Sequence, residues 1–200
     1  ADVGVKDGKI LEIGQISEES KEIVNAQGLS VLPGCIDTQT HFREPGSTDT
    51  EDLHSGSRAA IVGGITSVFE MPNTNPPTST KVEFQKKLDL AKNRMYCNHA
   101  FYFGATADNA DDLASLEGLE GCCGIKLFAG SSTGNLLVAE EDDIDKVFQN
   151  ASKVVAVHSE DEAILNIIKK LIKQGDVHTH PVWRSVECAI SSTRRIVRIA

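Results

Sequence analysis

The chain has 200 residues, of which 40% are hydrophobic, 24% charged and 5% aromatic, and its formal charge is −9. This is the composition of a soluble globular protein of one or two domains, with a core resting on Ile, Val, Leu and Ala. The negative charge argues against a nucleic-acid or anionic-membrane surface, and no apolar run approaches the roughly 18 residues of a membrane span.

Residues 1–30 read as a small β element. Val3–Val5 and Ile10–Ile13 flank an Asp7-Gly8 turn, and Ile23-Val24 with Leu29 is expected to add further strand. From Val31 the pattern alternates. Strands are expected at Val31–Thr40, Ile65–Met71, Tyr96–Phe103, Gly124–Phe128 and Val154–His158. Helices are expected at Asp52–Val62, Lys81–Arg94 (with Val82, Leu88 and Ala91 on one side), Asp111–Leu119, Glu140–Ala151, Glu162–Gln174 and Ser185–Ala200. Such alternation implies parallel strands joined by crossover helices, in a barrel or an open sheet. A complete eight-fold barrel takes about 250 residues, so about five β/α units in this chain read as an incomplete barrel. The domains expected are 1–30 and 31–200. The five cysteines, Cys35, Cys97, Cys122, Cys123 and Cys188, are odd in number and form no C-x-x-C pair. Their usage fits a reducing cytoplasm, and no secretory leader is read.

Polar groups collect just after the expected strands, where parallel folds place their sites. Asp37, Gln39 and His41 alternate along one strand in DTQTHFREPG. His41 and His158 are candidate metal ligands, since imidazole is a common ligand for zinc and similar ions. Asp37 is a candidate ligand, or a group that holds His41 in the right tautomer. Gln39 offers an amide where Asp-x-His-x-His would have an imidazole, and is a weak or absent ligand. Lys126, inside GIKLF, is costly unless neutralised, paired or modified. Arg43 and Asn73 together suit a substrate carboxylate. The Gly-rich stretch 129–135 lacks phosphate-loop spacing and reads as a loop. His54, His99, His178 and His180 read as structural or loop residues.

PGCIDTQTHFREPG, MPNTNPP, GIKLFAGSSTG and AVHSED, in this order, resemble the class I-like dihydroorotases of the amidohydrolase superfamily. The resemblance implies a (β/α) TIM-type barrel, with residues 1–30 as part of a flanking β-sandwich. It also implies a zinc-dependent enzyme of pyrimidine biosynthesis that interconverts dihydroorotate and N-carbamoyl-L-aspartate. His41, Lys126 (as a carboxylated lysine) and His158 would hold one or two Zn2+ ions, and Arg43 and Asn73 would bind the substrate carboxylate. A catalytic base is expected beyond residue 200, so residues 1–200 alone are expected to be inactive. The partners expected are a small-molecule substrate, a second copy of the chain and other pyrimidine-pathway enzymes. Two alternatives stay open: a hydantoinase- or allantoinase-like enzyme, and a non-catalytic scaffold motivated by Gln39.

Overall fold

The computed structural model describes residues 1–200, which form two compact units, Ala1–Pro33 and Gly34–Ala200. In the first, β1 (Asp2–Lys6) and β2 (Lys9–Gly14) pair antiparallel. Asp7 and Gly8 turn the chain between them with φ of 51° and 73°, the left-handed values an Asp-Gly hairpin turn requires. The expected further strand at Ile23–Val24 and Leu29 does not form. These side chains are exposed, and no neighbouring strand offers them a ladder.

The second unit is a parallel sheet in the order β3-β4-β5-β6-β7. Its strands are β3 (Cys35–Thr40), β4 (Ile65–Glu70), β5 (Asn98–Gly104), β6 (Cys122–Phe128) and β7 (Val155–His158). Between and after them run α1 (Leu53–Val62), α2 (Lys81–Ala91), α3 (Leu113–Leu116), α4 (Glu141–Asn150), α5 (Glu162–Ile168), α6 (His180–Trp183) and α7 (Val186–Ile199). Side chains of Asp52, Thr80, Asp161 and Ser185 accept the first free N–H groups of α1, α2, α5 and α7. Alternation along the strands sends one set of side chains to the helices. Phe101 and Phe103 of β5 pack there on Phe84, and Ile125 and Leu127 of β6 join the same core with Ile144 and Val147 of α4. Lys126 and Phe128 point the other way.

Four expected elements differ. The buried stripe of α2 is Phe84, Lys87 and Ala91, whereas Val82 is exposed. The helix expected at Asp111–Leu119 shortens to one α turn after a 3-10 turn, because the Gly118 and Gly121 region folds back into β6. The helix expected to reach Gln174 stops at Ile168, since Leu165 is its one buried residue and packing supports only its first turns. His178 and His180 lie on short helical turns rather than in a loop, with Pro181 at a helix start where its missing N–H costs nothing.

One buried carboxylate staples the return from α4. Glu117, 1% exposed, accepts from the backbone N–H of Ser152 at 2.7 Å and of Lys153 at 2.9 Å, and from the Ser152 hydroxyl. Burial alone would raise this carboxyl; the Ser152 and Lys153 donors outweigh it and hold it below its ordinary 4.5. A carboxyl depressed on folding stabilises above its unfolded pKa and stops doing so as pH falls through the folded one. Glu117→Gln is therefore expected to cost about 1–3 kcal/mol at pH 7 in urea unfolding. The gap from wild type should narrow once pH drops below about 4.5; a gap constant with pH would refute the staple.

Candidate functional site

The carboxyl ends of β3, β4, β6 and β7 converge on a pocket of about 190 Å³. Gln39, His41, Arg43, Asn73, Lys126, Phe128, Ser131, His158 and Arg184 line it. A larger open depression of about 480 Å³ lies at Gly175–Pro181, but Asp176 and His180 are its only ionisable groups. Asp176 there caps the backbone of His178, and His180 packs edge-on against Trp183. The smaller pocket, where polar groups converge, is the candidate site.

Lys126 is 2% exposed, and burial brings its ammonium down to about 8. No carboxylate pairs with it; its Nζ sits 5.1 Å from the Phe128 ring centroid. His41 is half-buried, and its pKa is lowered by burial, then by Arg43 and Lys126, with Asn73 opposing. Burial and the neighbouring cations thus favour the neutral imidazole. His158 stacks on Phe128 and places Nε2 2.5 Å from a Glu160 carboxylate oxygen. Arg184 donates to that same oxygen and, through its other amino group, to the Ser131 hydroxyl. A Cβ on Gly130 would collide with the Glu160 carbonyl, so only glycine lets the β6 loop lie this close.

Arg43 has a φ of 59°, which a bulky residue rarely adopts and which strained functional loops often keep. The next residue holds it there. Buried Glu44 accepts from the Leu53 N–H at 2.9 Å and from both amino groups of Arg94, at 2.7 and 3.1 Å. Asn73 is half-buried, and its side chain, shielded from solvent, lies against His41, whose charged form it favours.

Of the residues singled out in the sequence, Gln39, His41, Arg43, Asn73, Lys126 and His158 share this pocket. Asp37 does not line it: its carboxylate accepts the backbone N–H of Gln39 at 2.9 Å. Arg184, Ser131 and the role of Glu160 escape a sequence reading. Arg184 stands 53 residues from Ser131, and nothing local in HPVWRS marks it. Glu160 has a visible signal, an acid two residues after a strand-end histidine.

The donor chemistry fits a zinc-type ion. Burial favours the neutral form of His41 and lowers Lys126 to about 8, and Glu160 takes the Nε2 side of His158, leaving Nδ1 free. A carboxylate behind a ligating imidazole is the usual support for such a ligand. Three protein donors are also what an open catalytic zinc site needs. No group of three His, Cys, Asp or Glu residues comes together in these 200 residues.

The dihydroorotase of Methanosarcina mazei is 33% identical over 205 residues, all of this chain and 44% of that protein. An Escherichia coli allantoinase is equally similar, 33% over 211 residues, all of this chain and 46% of that protein. The chain therefore spans less than half the length of these curated relatives. Among solved structures, the L-hydantoinase (dihydropyrimidinase) from Arthrobacter aurescens superposes with a TM-score of 0.89 at 26% identity, covering 98% of this chain and 46% of that one. The five strands and their helices are accordingly part of a (β/α) TIM-type barrel. Residues 30–184 match the amidohydrolase family profile, and the chain belongs to that family.

Proposed function

We propose that the chain carries the substrate-binding and metal-binding rim of a cyclic amidohydrolase that interconverts dihydroorotate and N-carbamoyl-L-aspartate. The observation that supports this reading most is Arg43 and the Asn73 amide together in one small pocket. The rings of hydantoin and allantoin carry no carboxylate, whereas dihydroorotate does. A guanidinium fork matches that group in two hydrogen bonds. The Asn73 amide N–H donates to the same carboxylate.

A zinc-type ion held by His41, His158 and a Lys126 carbamate would polarise the ring carbonyl and lower the pKa of water. Lys126 is suited to the modification because its free amine adds CO2, and the proton released leaves a carbamate anion in place of a buried cation. Glu160, held by Arg184, fixes the ring of His158. Gln39 presents a neutral amide, so the proposal keeps one strong metal position rather than two. The residue that moves the proton is assigned outside this rim. The proposed setting is a cytoplasmic, small-molecule enzyme that assembles as a homo-oligomer; all five cysteines are unpaired, and no helix is long and apolar enough to cross a membrane.

Gln39 also favours a second reading, a barrel kept for assembly without catalysis. The test is the rate of dihydroorotate–carbamoyl aspartate interconversion by the protein in its full natural length, after chelation and after zinc is restored. Zinc-restored turnover is expected, with allantoin and hydantoin turned over far more slowly. Folded, zinc-loaded protein that turns over none of the three would establish the scaffold; preference for a ring lacking the carboxylate would establish the other branch of the family. If Arg43 clamps the carboxylate, Arg43→Met should raise KM about 10- to 100-fold and leave metal content unchanged. Unchanged KM would remove Arg43 from the site.

A further inference from the structure

A buried ion pair lies at the base of the two loops that carry Arg43 and Asn73, and no step of the proposed chemistry uses it. Glu70, the last residue of β4, meets Lys87 from α2, their side chains 1% and 0% exposed. Lys87 also donates to the Met71 carbonyl at 2.8 Å and lies over the Phe101 ring, 5.3 Å from its centroid. Burial pushes the Glu70 carboxyl up to about 7, while Lys87 and the backbone N–H of Phe42 favour its charged form. Burial lowers Lys87, and Glu70 opposes it.

The partners of this pair are informative. Phe42 lies between His41 and Arg43, and Met71 lies two residues before Asn73. Through Lys87 the pair holds the backbone at the start of the Asn73 loop. Backbone bonds join the same two segments, from Met71 to Thr40 at 2.9 Å and from Asn75 to Pro45 at 2.9 Å. Stability alone is a weak reason for such a pair, because apolar residues of similar volume often serve as well or better. Fixing a geometry is a stronger one.

We propose that Glu70 and Lys87 are positioning residues that set Arg43 and Asn73 at the spacing a carboxylate-bearing ring requires. The inference rests on the proposed substrate; it adds that α2, which does not line the pocket, controls the fit. Glu70→Leu/Lys87→Met removes both charges together at similar volume. In the full-length protein, KM for dihydroorotate should rise about tenfold or more, with kcat within about threefold of wild type and metal content unchanged. Glu70→Asp, which withdraws the carboxylate by one methylene, should raise KM several-fold with the same unchanged kcat, and it decides the matter if the double variant does not fold. A merely structural pair would leave the ratio of KM to kcat alone. Wild-type turnover with KM unmoved in the folded variants overturns the inference by itself. Wild-type protein with no dihydroorotate turnover overturns the proposed function and this inference together.

Discussion

A parallel sheet whose strands are joined by helices leaves the carboxyl ends of all its strands on one rim. Here that rim carries His41 after β3, Asn73 after β4, Lys126 at the end of β6 and His158 closing β7. The strand order places these groups in sequence around a single pocket. Side-chain alternation then decides which neighbours serve the core. Ile125 and Leu127 pack against the helices, so the residue between them has to face the other way. The chemistry of the rim is in this sense a consequence of how the hydrophobic core is written.

Buried charge separates structural groups from reactive ones. Lys87 and Lys126 are both sealed from solvent, 0% and 2% exposed. Lys87 has an anion and a carbonyl, the arrangement expected of a cation that must stay charged. Lys126 has neither, and burial is the sole cause of its lowered pKa. A lone buried amine is stabilised by losing its proton or by being converted into something else. That asymmetry separates a buried lysine with an ionic partner from one without. Glu160 falls between the two, since the contacts that satisfy its carboxylate, to Arg184 and His158, are made inside the pocket.

Legibility in the sequence followed the range of the interactions. Strands bounded by Gly64 and Pro72, the Asp7-Gly8 turn and the capping residues Asp52 and Ser185 are local signals, and the elements they mark formed within a few residues of expectation. Where helix ends or strands depended on packing, as at Ile23–Val24 or beyond Ile168, local pattern misled. The face of α2 is the sharpest case. Periodicity favours Val82, yet the helix buries Lys87, because a distant carboxylate on β4 makes a lysine a core residue. Arg184 was invisible for the same reason: its partners come from two other connections, and a lone arginine before a helix cap reads as surface.

Gln39 changes the chemistry of the rim without emptying it. Replacing an imidazole by an amide exchanges a nitrogen lone pair for a carbonyl oxygen and two N–H donors. Zinc prefers the imidazole, so a metal position that depended on this residue is weakened. An amide in the same pocket as Lys126 has a different use: its N–H groups can donate to a carbamate oxygen, as they cannot to an ammonium. Asp37 adds to the order of this strand by tying down the Gln39 backbone at 2.9 Å. On the proposed reading, the pocket keeps its polar lining with one metal donor fewer, and holding an ion falls to His41, His158 and a modified Lys126.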